Sequence, residues 1–324
     1  MAGIKCIGIL TSGGDAPGMN AAIRAVTRSA IYNGFAVKGI MRGYKGLVFN
    51  EIVSFKSQSV SNIIQLGGTI LKTARSQEFT TTEGRKAAYD NMVAAGIDAL
   101  VVIGGDGSFM GARALANQGI PCVGIPGTID NDIACSEYTV GFDTAMNTAI
   151  QMVDRIRDTA QSHDRCSVVE VMGRRCGDID LQTVGVATGA LAVLLPERPF
   201  DFERDILQRM RQTQVTGKKH FIIIVSEGVT DAQTLANQIQ AATGVDSRAT
   251  VLGHIQRGGS PTVRDRVNAS LMGYHAVDLL DKGIYNRVVA LSGGKIVDYD
   301  VNVALSMHKY LDPMEIEVAQ AISI

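Results

Sequence analysis

The chain has 324 residues, 31 Lys and Arg against 32 Asp and Glu, a formal net charge of −1, and a composition 46% hydrophobic and 19% charged. Such a length buries a sizeable core and suits one large or two medium domains, in the mix of a soluble globular protein. No lysine/arginine run is present to track a nucleic-acid backbone, and the apolar run in the N-terminal MAGIKCIGILTSGGD is too short for a signal-peptide core or a membrane span. Along the chain, β-branched runs predict strands at Ile4–Leu10, Ala36–Ile40, Ala99–Ile103, Cys122–Ile125, Ser167–Val171, Ala192–Leu195, Phe221–Val225 and Arg287–Leu291. Amphipathic stretches predict helices at Gly18–Asn33, Gly84–Ala95, Ser108–Asn117, Phe142–Ser162, Asp201–Gln214, Ala232–Ala242 and Thr262–Asp281. Several strands are apolar almost throughout, as when helices cover both faces of a sheet. Strands alternating with helices imply an α/β protein with parallel, right-handed connections. Five scattered cysteines (Cys6, Cys122, Cys135, Cys166, Cys176), odd in number and without a CxxC pair, read as reduced thiols in a cytoplasmic protein.

Glycine clusters where strands end. Ile7–Asp15 (IGILTSGGD) and Val101–Ser108 (VVIGGDGS) end alike and read as two ligand-facing loops at the carboxyl ends of one sheet. The loop TSGGDAPG, Thr11–Gly18, joins strand to helix and suits phosphate at the helix N-terminus, or is simply a tight turn. It lacks the GxxxxGK[ST] pattern, which disfavours a Walker-type site. In GGDGS, Asp106 sits between glycines. A carboxylate beside a phosphate cradle calls for a cation, magnesium above all, although an Asx turn uses the same residue.

PGTIDND, Pro126–Asp132, presents Asp130 and Asp132 on either side of Asn131. Phosphoryl transfer needs a carboxylate to take the hydroxyl proton and another to help hold the metal–phosphate complex, and paired aspartates can divide those tasks. A helix cap would use similar residues. Arg75 follows a GGT turn, and Arg165, Arg174, Arg248 and Arg257 sit near strand and loop ends, where guanidinium forks bind phosphate oxygens in pairs. His254 and Arg257 in GHIQRGGSP lie three residues apart and share a face of a helical turn, as an anion site would.

Together TSGGDAPGMNAAIR, IGGDGS, PGTIDND, VVEVMGR and GHIQRGGSP closely resemble the bacterial ATP-dependent 6-phosphofructokinases, in the same order and over nearly the whole chain. The resemblance implies two Rossmann-like three-layer αβα domains with mainly parallel sheets. A larger ATP/Mg-binding domain would comprise residues 1–140 and 255–306, and a smaller fructose 6-phosphate domain residues 141–254 and 307–324. It implies phosphorylation of fructose 6-phosphate by ATP to the 1,6-bisphosphate, with Mg2+, in a cytoplasmic, allosteric, glycolytic homotetramer with shared active sites.

By the same resemblance, Asp130 is the base on the sugar 1-hydroxyl, assisted by Thr128 and Asp132. Arg75 and Arg174 stabilise transition-state charge, and Asp106 and Asp132 serve the metal. Gly14, Tyr44, Arg75, Ser76, Gly105, Asp106, Gly107 and Ser108 match ATP positions. Thr128, Ile129, Met172, Gly173, Arg174, Glu227, His254 and Arg257 match sugar-phosphate positions. Arg165 and Arg248 match residues that reach the 6-phosphate in a neighbouring subunit. Pyrophosphate-using relatives carry an aspartate at position 107 and a lysine at position 127, where this chain has Gly107 and Gly127. ATP is therefore the expected donor.

Arg24, Arg28, Arg157 and Lys218 match an effector pocket for ADP or phosphoenolpyruvate. Ser57 replaces an arginine there, Thr216 a lysine, and Leu191 (or Ala190) a metal-binding glutamate, which predicts weak or altered control. Alternatives are a pyrophosphate-dependent or related sugar-phosphate kinase and a catalytically inactive nucleotide-binding regulatory subunit. The presence of Asp106, Asp130, Asp132, Arg75 and Arg174 argues against the second. A NAD-binding oxidoreductase is disfavoured because no GxGxxG with a following ribose acid occurs at the required place.

Overall fold

The computed structural model describes residues 3–323. In chain order the strands are β1 (Cys6–Thr11), β2 (Ala36–Ile40), β3 (Ile52–Phe55), β4 (Ala99–Gly104), β5 (Cys122–Pro126), β6 (Cys166–Val171), β7 (Ala192–Leu194), β8 (Phe221–Ser226), β9 (Ser247–Val251), β10 (Arg287–Ser292) and β11 (Lys295–Asp300). The helices are α1 (Met19–Tyr32), α2 (Gly43–Val48), α3 (Thr82–Ala94), α4 (Asp106–Ala116), α5 (Phe142–Ser162), α6 (Gln208–Val215), α7 (Ala232–Thr243), α8 (Val263–Asp281), α9 (Val301–Ser306) and α10 (Pro313–Ala321). Two segments, Ile179–Val186 and Glu203–Leu207, wind as π-helix.

The chain divides into two compact units. The first comprises Met1–Ile129, Ile133–Thr144 and Arg257–Lys309, and the second Asp130–Asp132, Ala145–Gln256 and Tyr310–Ile324. The chain thus passes out of the first unit and back within PGTIDND.

The first unit holds a seven-stranded sheet, ordered β11-β10-β5-β4-β1-β2-β3. Its centre is parallel, and antiparallel pairs close both edges, β10 with β11 and β2 with β3. Every residue of β1, β4 and β5 is buried. Leu10, Leu100 and Val102 join Tyr44, Phe79, Met92 and Leu115 in one core cluster. The interleaved Ile7, Ile9, Val101 and Ile103 are as fully buried and so face a covered side too, since alternate residues point to opposite faces. Each such side chain, removed from water, contributes roughly 1.5–3 kcal/mol.

The second unit holds a four-stranded, all-parallel sheet, β7-β8-β6-β9. Its core joins Val168, Phe221, Ile223 and Val225 to Ile206, Met210, Leu235 and Ile239 from the covering helices. Both units are α/β with mainly parallel sheets, as the alternation of elements predicts, and of the Rossmann-like class that the resemblance implies. No helix among the described residues is long and apolar enough to cross a membrane.

Candidate active site

In the first unit, β1 and β4 are neighbours, so their two glycine loops emerge side by side at the carboxyl end of the sheet. Ser12 N donates to Ile103 O (3.0 Å), and Ser108 Oγ donates to Ser12 O (3.1 Å). The backbones approach so closely that a Cβ at Gly104 would stand 2.4 Å from Ser12 O. Gly105 caps α4, placing Asp106, Gly107 and Ser108 in its first turn, where backbone N–H groups face outward. Asp106 and Gly107 are exposed, and a Cβ at Gly107 would meet nothing within 4 Å. Ser108 is buried; its carbonyl accepts from Tyr44 OH at 2.5 Å. Tyr44 is itself buried, stacked on Phe79 with centroids 4.2 Å apart.

The segment carrying Arg75 is tied to the first loop. Thr11 Oγ1 donates to Lys72 O (2.8 Å) and Thr73 Oγ1 to Gly13 O (2.7 Å). Arg75 is exposed, while Ser76 accepts from Phe79 N and donates to Glu78. Pro126–Thr128 is held on this unit too. Gly127 N donates to Gly104 O (3.0 Å), Val140 N to Pro126 O (2.9 Å) and Thr139 Oγ1 to Thr128 O (2.7 Å). Ile129 is fully buried. Arg257 lies against the first loop. Its Nη1 donates to Asp15 O at 3.3 Å and stands 2.6 Å from where a Gly14 Cβ would be. A residue assigned to the sugar thus meets one assigned to the nucleotide.

In the second unit Asp130 is 2% exposed and Asp132 half-buried. Arg174 reaches both, with Nε 3.8 Å from Asp130 and Nη1 3.6 Å from Asp132. Asn131, between the aspartates, adopts φ +50°, a left-handed geometry asparagine tolerates, and its Nδ2 donates to Asp178 at 2.9 Å. Arg174 is also left-handed, with φ +55°. The Met172–Arg174 loop follows β6. Met172 N donates to Gln256 Oε1 (2.8 Å), and Glu227 N, following β8, donates to Val171 O (2.9 Å). His254 is exposed on the 3₁₀ turn Gly253–Arg257. These residues gather at the carboxyl end of a parallel sheet, the usual ligand end.

Arg165 and Arg248 do not join them. Both lie at the amino end of the same sheet and converge on Asp246, at 2.5 and 3.2 Å. Their guanidinium groups hold the Asp246 carboxyl below its ordinary range. The length of β6, about 17 Å at ~3.3 Å per residue, separates them from Met172 and Glu227.

Of the effector positions, Arg24 and Arg28 lie one turn apart on α1; burial, and then Arg28, depress the Arg24 pKa. In the second unit Arg157 donates to Thr188 O (2.6 Å), and Lys218 is pushed down by burial and by Arg157. Leu191 is buried in the core, Thr216 Oγ1 donates to Thr213 O, and Ser57 opens a 3₁₀ turn. Sequence reasoning missed Asp178, which steadies Asn131, and Gln256, which steadies Met172. Each is a polar residue near a motif, with no signal of its own until the backbone brings it round.

A sequence model of the Phosphofructokinase family matches residues 6–280. The chain belongs to the phosphofructokinase family. ATP-dependent 6-phosphofructokinase of Clostridium botulinum (strain Hall) is 51% identical to it over 320 residues, 99% of this chain and 100% of the relative. That of Clostridioides difficile (strain 630) is 52% identical over 321 residues, again 99% and 100%. Among solved structures, Pichia pastoris phosphofructokinase in the T-state matches with a TM-score of 0.88 and 37% identity, over 99% of this chain and 37% of that one. The chain therefore spans the whole of these bacterial phosphofructokinases and little more than a third of the Pichia protein.

Proposed function

We propose that this protein is an ATP-dependent 6-phosphofructokinase, transferring the terminal phosphate of ATP to the 1-hydroxyl of fructose 6-phosphate. The observation that carries the reading is Asp130, a carboxylate 2% exposed with the Arg174 guanidinium beside it. Enclosure suits a base that must take a proton from an alcohol, and the arginine offsets charge as the phosphoryl group moves. Thr128 assists from the same segment. Arg75, tied to the first glycine loop through Thr73, supplies a second cation to the phosphates. Full-length relatives named as ATP-dependent enzymes support the donor, as does the open space at Gly107.

Gly14, Tyr44, Ser76, Gly105 and Ser108 make the nucleotide side of this reading. Ile129, Met172, Gly173, Glu227, His254 and Arg257 make the sugar side. Asp106 and Asp132 would hold magnesium. Two carboxylates, with no cluster of three or more His, Cys, Asp or Glu ligands among the described residues, fit a hard cation that arrives with phosphates and keeps its waters. When bound, it neutralises phosphate charge.

The separation of Arg165 and Arg248 from Glu227 supports a site completed by a second copy of the chain, as in the homotetramer with shared sites that the resemblance implies. A cytoplasmic, glycolytic setting accords with this activity. The test is a coupled assay of the purified protein with fructose 6-phosphate and either ATP or pyrophosphate. Formation of the 1,6-bisphosphate with ATP alone is the expected result, and turnover with pyrophosphate alone would reverse the donor assignment.

A further inference from the structure

The segment that follows β6 folds back on the aspartate pair at three points. Arg174 reaches Asp130 and Asp132, the Cys176 thiol donates to Asn131 O at 3.9 Å, and Asp178 accepts from Asn131 Nδ2 at 2.9 Å. The segment is itself tightly turned. Cys176 N donates to Gly173 O at 2.9 Å, and a Cβ at Gly173 would stand 2.6 Å from Cys176 O. Asn131 and Asp178 are both buried, at 1% and 5% exposure, so water does not compete for the bond between them.

Asp178 stands at the N-cap position of the π-helical segment Ile179–Val186, from which an aspartate ordinarily bonds the first backbone N–H groups of its own helix. Its side chain makes no such cap. It turns instead to a residue 47 positions earlier in the chain. What it holds there is an uncommon backbone. Asn131 has φ +50°, and left-handed geometry is unfavourable for any residue with a Cβ, asparagine being among the more tolerant. Asn131 joins the two aspartates, so its φ sets the direction in which Asp130 leaves the backbone relative to Asp132. A return to negative φ would turn one carboxyl relative to the other, away from the arrangement in which Arg174 meets both. Backbone kept in a sparsely populated region by a buried tether, beside a candidate base, points to a function for the tether.

We infer that Asp178 is a positioning residue for the reaction: by holding Asn131 left-handed it aims the Asp130 carboxyl at the sugar hydroxyl. The inference rests on the proposed role of Asp130 as base. Asp178 takes no proton and binds no phosphate; it acts through Asn131.

Steady-state kinetics of Asp178→Ala and Asp178→Asn, with each substrate varied in turn, test it. Loss of the tether should lower kcat about 10- to 100-fold, the span for a reacting group displaced by up to about 1 Å, with the KM for ATP within about two-fold of wild type. The asparagine variant keeps a carbonyl oxygen to accept from Asn131 Nδ2 and should return kcat to within about three-fold of wild type. The effect should also vanish without its partner, so that adding Asp178→Ala to Asn131→Ala changes kcat by less than about two-fold further. An alanine variant that loses melting temperature but keeps kcat overturns the inference, as does an asparagine variant no better than alanine, or a double variant whose effects add. If Asp178→Ala does not fold, Asn131→Gly gives the same readout, since glycine reaches left-handed φ without strain but has no side chain to tether. Asp130→Ala is measured alongside. If it keeps kcat within about ten-fold of wild type, or the wild type does not turn over, the proposed base and this inference fall together. If it loses kcat and Asp178→Ala does not, this inference alone falls.

Discussion

Around the glycine loops of the first unit, the absence of side chains decides the geometry. A Cβ at Gly104 would press on Ser12 O at 2.4 Å, while one at Gly107 would stand in open space. Around Asp130 in the second unit, side chains decide it. Arg174 reaches two carboxylates, and Asp178 fixes the left-handed Asn131 between them. The first region is therefore sensitive to added volume and the second to altered charge. This accords with a nucleotide whose phosphates bind to backbone and a sugar whose hydroxyls need a base.

The contrast is tested most severely at Asp130. Asp130→Ala should lower kcat about 10²- to 10⁴-fold, the range for a lost general base, with KM for ATP little changed. A fall of less than about ten-fold would move the base elsewhere. Next comes Gly107→Asp. Because its Cβ meets nothing within 4 Å, the melting temperature should hold. In the proposed site the new carboxylate would face the nucleotide's phosphates, so KM for ATP should rise at least about ten-fold, like-charge juxtaposition costing several kcal/mol. A loss of stability there, with ATP affinity intact, would mean that the space at Gly107 is not where the nucleotide sits. Gly104→Ala should do the reverse and act on folding. Its methyl group would meet Ser12 O and Ser108 Oγ, both at 2.4 Å, so denaturant unfolding should show a cost of about 1–3 kcal/mol.

Legibility in the sequence followed burial. Strands β1, β4, β5 and β8, buried at every position, were found from their apolar runs. The strands missed, β3, β9 and β11, are all sheet edges; IVSF, SRATV and KIVDYD expose one or both faces and lack a continuous apolar signal. The six-residue helices α2 and α9 are too short to show a period, and the π segment Ile179–Val186 departs from the 3.6-residue period on which the reading depends. In the site, glycine and aspartate clusters at strand ends could be read because those residues have few other reasons to gather there. Asp178 and Gln256 could not, since each lies far along the chain from the residue it bonds. Nor could the pairing of Arg165 and Arg248 through Asp246, which depends on the register of β6 with β9.

The smallest expected effect concerns the cations away from both regions. Burial, and then the nearby Arg157, disfavour the charge of Lys218, as the crowded cations of an anion pocket would. Yet Ser57 and Thr216 supply no charge, and each missing charged hydrogen bond is worth roughly 1.5–3 kcal/mol of anion affinity. Leu191 is buried beside Ala192, Leu194 and Ile206, so a glutamate placed there would face the core and could not easily restore a metal ligand. Micromolar ADP or phosphoenolpyruvate should therefore move the KM for fructose 6-phosphate by less than about two-fold, one missing bond alone weakening the effector by ten-fold or more. Saturable activation by micromolar ADP would mean that Arg24, Arg28, Arg157 and Lys218 suffice without the other three. Thr216→Lys would then add little, whereas if a missing cation is the cause, that substitution should strengthen the response to ADP.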